Sequence, residues 1–150
     1  NARLVVIGRG TRQHEVGFEP ARKYGLAEKV HFTGYLDGDS YVGALNTFNA
    51  GIFLTPGTDG GCRAAREIMA MGKAMIVADR GMLREIIQHR SEGLVTDGGA
   101  IQLAEAMMEL HSSPALLDTL SKNAFQKAHS LYTLQHQAAE VIRTYEMVLT

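Results

Sequence analysis

The sequence predicts an α/β fold: an open, doubly wound parallel sheet of about five strands, with extra helices at the C-terminal end. Three observations carry this. Short apolar runs alternate with longer stretches of helical spacing, which is the β-α-β-α signature. The runs, Leu4 to Ile7, Val30 to Phe32, Gly51 to Leu54, Ala74 to Ala78 and Gly93 to Val95, are nearly continuous in apolar character. That pattern suits strands covered by helices on both faces of a parallel sheet. After Val95 no further strand-like run occurs, and the last third of the chain has helical periodicity alone.

Each helical segment has its own signal. Between Thr11 and Leu26, Pro20 either sits in a first helical turn or splits the segment, and both readings stay open. Tyr41, Leu45 and Phe48 recur at spacings of four and three, giving one apolar stripe that is expected to face the core. Ala64 to Gly72 follows a glycine-containing loop and reads as a helix starting near Gly61 or Cys62. Ile101, Ala104, Met107, Met108 and His111 predict a second core-facing stripe, and Met69, Met71, Met107 and Met108 are expected to fill the core. Ser113 and Pro114 form a good cap and first-turn pair, opening a helix marked by Leu116, Leu120, Ala124, Ala128 and Leu131. A last helix carries Leu134, Ala138, Val141, Ile142, Tyr145 and Leu149, and either packs on the sheet or reaches a neighbour outside this chain.

Composition narrows the class of function. The 150 residues are 45% hydrophobic and 21% charged, which excludes disorder, collagen and coiled coil and suits one domain with one core. Fifteen Lys and Arg against sixteen Asp and Glu leave a net charge of -1 without a long basic run, which disfavours nucleic-acid binding. No stretch reaches the roughly 18 to 20 apolar residues that cross a bilayer, and no signal-like segment opens the chain, so it is expected to be soluble as given. A lone cysteine, Cys62, forms no internal disulfide and fits a reducing compartment. The chain runs from Asn1-Ala2-Arg3 directly into its first strand, and the expectation is that it is a piece of something longer, with no second domain within residues 1-150.

In an open parallel sheet, ligands bind beyond the carboxyl ends of the strands. The segments there are Gly8 to Thr11, Gly34 to Asp39, Thr55 to Arg63, Asp79 to Met82 and Thr96 to Gly99. The densest, Thr55-Pro56-Gly57-Thr58-Asp59-Gly60-Gly61-Cys62-Arg63, leads into a helix, and a strand ending in such a loop presents free N–H groups and a positive dipole end to a phosphate. Arg63 and Arg66 in the first helical turns are unfavourable without an anion nearby. Alternatively the glycines only make the turn and the arginines pair with Asp59 and Glu67. Glu67 falls eight positions after Asp59, so both carboxylates are placed to border one cleft. A carboxylate accepts two hydrogen bonds at once, which suits a vicinal diol such as that of a ribose; the competing reading is a glutamate that complements the helix dipole.

Taken in order, Val5-Val6-Ile7-Gly8-Arg9-Gly10, Val30-His31-Phe32-Thr33-Gly34-Tyr35, Asp59-Gly60-Gly61 with Glu67-Ile68-Met69-Ala70-Met71-Gly72-Lys73, Gly81 to Ile87 and Gly93-Leu94-Val95 form a set. With it the chain resembles, from about Ala2 to at least Tyr145, the C-terminal, donor-binding domain of the retaining, GT-B fold glycosyltransferases of group 1. The block related to E-x7-E is the most specific part. The resemblance implies a Rossmann-like half of a GT-B fold in which Glu67 holds the ribose hydroxyls of a nucleotide-sugar, linked to UDP, GDP or ADP. Asp59 stands where the family's first glutamate lies near the transferred sugar; being one methylene shorter, it requires either that the loop compensates or that the sugar differs. Gly60, Gly61, Cys62 and Arg63 occupy positions whose backbone N–H groups face sugar and diphosphate, and the family more often has an aromatic residue at Gly61 and glycine at Cys62. Gly34, Tyr35 and Leu36 match the loop that lines the base.

The resemblance further implies transfer with retention to a glycan or lipid-linked acceptor, as in cell-envelope polysaccharide biosynthesis, with no cofactor or metal required. The family's Arg and Lys pair that clamps the diphosphate, and the acceptor-binding N-terminal domain, precede the point where this chain begins. The isolated chain is therefore expected to be inactive. Its expected location is cytoplasmic, any membrane association residing in the missing domain.

Other readings fare worse. A dinucleotide-dependent dehydrogenase needs a third glycine where Gln13 stands and an acidic residue at the end of the second strand, where Thr33-Gly34-Tyr35 stand. A phosphoacceptor receiver needs carboxylates where Gly8-Arg9-Gly10 stand. His14, His31, His89, His111, His129 and His136 show no metal-ligand spacing, and Cys62 lacks a partnered base for nucleophilic work. The alternative of a different kind is a non-catalytic nucleotide-binding or interaction module of Rossmann-like fold, for which Asp59 in place of glutamate is the sequence hint.

Overall fold

The computed structural model describes residues 2–55 and 62–149. The chain forms two compact units, Asn1–Asn46 and Thr47–Thr150.

In the first unit, β1 (Leu4–Ile7) pairs in parallel with β2 (Val30–Gly34), Leu4 opposite Val30 and Ile7 opposite Gly34. Parallel pairing demands a crossover. Here it is one π-helical turn, His14–Phe18, running into α1 (Glu19–Lys23), with Pro20 inside the first turn of α1, where its missing N–H costs nothing. Phe18 packs its ring 4.1 Å from that of Phe32, and Gly17 lies so close that a Cβ there would meet the Phe32 ring at 2.8 Å. A short 3₁₀ turn, Ala27–Lys29, leads into β2, and α2 (Gly38–Asn46) follows with Leu45 buried and Tyr41 half-buried on the expected face.

The second unit holds the strand order β3 (Ala50–Phe53), β4 (Ala74–Ala78), β5 (Gly93–Thr96), all parallel. All five predicted strands are present, distributed between a two-stranded and a three-stranded sheet. β4 is buried at every position, as a central strand covered on both faces must be. Ala74 and Ile76 point into a cluster with Leu94, Ala106, Leu110 and Leu120. Those partners come from β5, from α5 (Ala100–Ser112) and from α6 (Pro114–Leu131). On the Met75 side, Ile68 of α3 (Arg63–Ala70) sits over Gly51, where a Cβ would meet its Cγ2 at 2.7 Å. The missing side chain of Gly51 thus lets α3 lie close on the sheet. Gly72, at φ +67°, ends α3 and turns the chain into β4.

A short helix, α4 (Leu83–Ile86), buries Leu83 and Ile86 between β4 and β5 in the chain. Ser113 caps α6 as expected, its hydroxyl accepting from the Leu116 N–H at 3.3 Å. The face of α5 differs from the expectation. Ile101, Ala104, Met108 and His111 are exposed, Ile101 and Met108 strongly so, whereas Leu103, Ala106, Met107 and Leu110 face the core. The helix is apolar on two faces about a third of a turn apart at 3.6 residues per turn, and packing against β4 and α6 decides which one is buried. Met108 is therefore not a core residue, while Met69 is fully buried. The last helix, α7 (Leu134–Leu149), buries none of its residues.

Candidate functional site

α3 is the element that decides the site. Cys62, Ala65, Ile68 and Met69 are buried against the rest of the unit. At 100° per residue, this places Arg63 and Glu67 on the opposite, outward side of the helix. The Glu67 side chain remains 39% exposed, with Oε1 3.5 Å from Nε of Arg63, itself 81% exposed. The carboxylate is thus at the surface, in a pair with Arg63 that solvent weakens to a fraction of a kcal/mol up to about 1. Asp59, Gly60 and Gly61 lie outside the described residues. Cys62 is wholly buried at the N-cap, where its side chain makes no capping hydrogen bond, and it offers no accessible thiol.

Arg66 does what its sequence position does not announce. Its guanidinium carbon lies 5.2 Å from the ring centroid of Tyr132, just past the end of α6. Burial pushes the Tyr132 hydroxyl above the usual tyrosine value, the neighbouring Arg66 charge opposes that, and Glu92 reinforces it. Beside this pair an open cavity of about 830 Å³ lies between the first turns of α3 and most of the length of α7, lined among others by Arg63, Arg66, Tyr132, Gln137 and Tyr145. Glu67 does not line it.

The polar side chains at the ends of β4 and β5 are engaged mostly within their own segments. Asp79 pairs with Arg84 at 2.6 Å. Thr96 donates its hydroxyl to the Val77 carbonyl and accepts from the Gly98 N–H. Asp97 accepts from the Gly99 N–H at 2.6 Å, and its own N–H goes to Gln102 Oε1. Glu67 is the carboxylate beyond a strand end that faces outward from an eight-residue helix.

In the first unit, of the predicted Gly34, Tyr35 and Leu36, Gly34 ends β2 and the other two follow it directly. Gly34 takes φ +70° and its carbonyl accepts from the N–H of Gly8, at φ +118°, at 2.8 Å. Tyr35 is 63% exposed and Leu36 half-buried. Arg9 places its guanidinium carbon 5.8 Å from the Tyr35 ring centroid. In the sequence Arg9 lies within the candidate segment Gly8 to Thr11, with no role of its own marked by any local pattern. Among the described residues, no group of three or more His, Cys, Asp or Glu side chains is gathered as a metal site.

Residues 1–127 match the family described as glycosyl transferases group 1. The chain belongs to this family. YtcC of Bacillus subtilis, named a glycosyltransferase, is 31% identical over 90 residues, which are 59% of this chain and 22% of YtcC. The group 1 domain also superposes on sucrose-phosphate synthase of Thermosynechococcus elongatus, with a TM-score of 0.78 and 22% identity over 98% of this chain and 38% of that one. HepE of Anabaena, solved in complex with UDP, gives a TM-score of 0.77 and 21% identity over 95% of this chain and 41% of HepE. Likeness at this identity shows the fold, the Rossmann-like α/β class. The chain spans less than half the length of each of these relatives.

Proposed function

We propose that this chain is the donor-binding part of a retaining glycosyltransferase, holding a nucleotide-sugar while an acceptor-binding domain outside the chain presents a glycan or lipid-linked acceptor. The observation that carries this reading is the place of Glu67: on the outward face of the helix after β3, half-buried, with its carboxylate 3.5 Å from the exposed Arg63 side chain. Glu67 accepts both ribose hydroxyls of the donor, and Gly34, Tyr35 and Leu36 line the base. The backbone N–H groups of Gly60, Gly61, Cys62 and Arg63 face sugar and diphosphate, Cys62 and Arg63 doing so from the positive end of α3. Asp59 lies near the transferred sugar. HepE, of similar fold, has been solved with UDP and with UDP-glucose, which supports a uridine nucleotide as the first donor to try.

Catalysis in this reading is chiefly stabilisation of negative charge on the departing diphosphate, together with orientation of donor against acceptor. The isolated chain holds the donor weakly and transfers nothing, because the second contribution needs the acceptor domain. Calorimetric titration with UDP, GDP and ADP tests the reading. At least one nucleotide binds, and Glu67→Ala weakens it tenfold or more; equal binding by Glu67→Ala removes the ribose assignment. Sugar transfer by residues 1–150 alone contradicts the division of labour.

A further inference from the structure

Arg66 is the long side chain on the flank of α3 beside Glu67. On the helix it lies between buried Ala65 and outward Glu67, about 100° from each. The buried arc of Cys62, Ala65, Ile68 and Met69 is bordered by Ala64 on one side and by Arg66 and Ala70 on the other. The two alanines end at Cβ, whereas Arg66 reaches out to the end of α6, its guanidinium carbon 5.2 Å from the Tyr132 ring centroid. Tyr132 is a firm seat. It continues the four-residue spacing of Leu120, Ala124 and Ala128, the buried stripe of α6, and its N–H donates to the Ala128 carbonyl at 3.0 Å. A planar guanidinium against an aromatic face is attracted by the ring and gives up little freedom in making the contact. The pair therefore holds α3 against rolling about its own axis.

Side-chain ends lie about 5 to 6 Å from a helix axis, so a roll of about 10° carries the Glu67 carboxylate about 1 Å. Two hydrogen bonds to neighbouring hydroxyls do not both keep their geometry through such a shift. We propose that Arg66 and Tyr132 form a positioning pair that sets the roll of α3 and so aims Glu67 at the ribose hydroxyls of the donor. The inference rests on the reading of the chain as a nucleotide-sugar binder, and adds to it two residues that act through Glu67 rather than on the ligand.

The test is calorimetric titration of the full-length protein with UDP, GDP and ADP and with their 2′,3′-dideoxy forms, which lack both hydroxyls. Arg66→Met and Tyr132→Leu each weaken the best-bound nucleotide about tenfold, the size of one hydrogen bond to a charged acceptor, and leave its dideoxy form within about twofold of wild type. Arg66→Met keeps the aliphatic stem and decides the matter should Tyr132→Leu fail to fold. Tyr132→Phe keeps the ring and retains wild-type affinity for both forms, and the double variant binds no more weakly than either single one. If Arg66→Met weakens both forms alike, the pair supports the fold or the charge at the phosphates, and the positioning role is overturned. If Glu67→Ala erases the preference for the hydroxyls while Arg66→Met and Tyr132→Leu keep it, the positioning role is overturned and the ribose assignment stands. If wild type binds none of the three nucleotides, or binds them no better than the dideoxy forms, the ribose assignment falls and the positioning role with it.

Discussion

The guanidinium of Arg66 stacks on Tyr132, Cζ to ring centroid 5.2 Å, and so ties the helix that carries Glu67 to the corner where α6 meets α7. Tyr132 is partly buried there and its ionisation is raised above the usual value near 10, burial being the larger cause, Arg66 opposing and Glu92 adding to it. The unfolded chain loses this proton near pH 10 while the folded chain keeps it, so the contribution is full below pH 10 and is lost as pH rises through the folded value. Urea unfolding between pH 8 and pH 11 checks this. Tyr132→Phe, which keeps the ring over Arg66, loses less stability than wild type across that interval; identical pH dependence of the two proteins contradicts it.

Gly93 opens β5 directly beneath the backbone of β4. A Cβ built there meets the Met75 carbonyl oxygen at 2.1 Å, and backbone in a fully buried strand has nowhere to move. Gly93→Ala is expected to cost about 3 kcal/mol or more, at the upper end of overpacking penalties. Gly43→Ala, whose Cβ meets nothing within 4 Å, is the control and stays within about 1 kcal/mol of wild type, since alanine favours the helix. Denaturant midpoints of the two variants decide it.

Glu92 is a buried carboxylate with three partners: the Gln88 N–H at 2.8 Å, the Ser91 hydroxyl at 2.8 Å and the Lys127 ammonium at 3.3 Å. It fastens the turn before β5 to α6, a link reinforced by Asn123 donating to the Ser91 carbonyl. Glu92→Ala leaves a largely buried ammonium unpaired and two donors unmet, for a loss of about 3 kcal/mol by chemical denaturation. Replacing both ends, Glu92→Leu with Lys127→Met, costs less than the sum of the two single changes, because no uncompensated charge is left behind.

The strands are legible in the sequence because nearly continuous apolar runs of three to five residues alternating with helical stretches have few other uses, and α6 is legible because Ser113 and Pro114 mark its start chemically. The face of α5 is not, since Ile101 and Met108 are as apolar as Leu103 and Leu110 and only the packing partner on β4 and α6 chooses between them. In the candidate site, the outward place of Glu67 on α3 is legible from its spacing after the loop. The contacts that surround it are not. Arg66 meets Tyr132, and Arg9 meets Tyr35, across stretches of chain that no local pattern connects, and the burial of Glu92 depends on a lysine one helix away.

The central claim is that the Glu67 carboxylate receives the ribose hydroxyls of the donor. Comparing UDP with its 2′-deoxy and 3′-deoxy forms, in the wild-type full-length protein and in Glu67→Ala, tests it most directly. Wild type is expected to bind each deoxy form several-fold to a hundredfold more weakly than UDP, as loss of a hydrogen bond to a charged acceptor implies, and Glu67→Ala to bind all three alike. A deoxy penalty that survives unchanged in Glu67→Ala contradicts the claim.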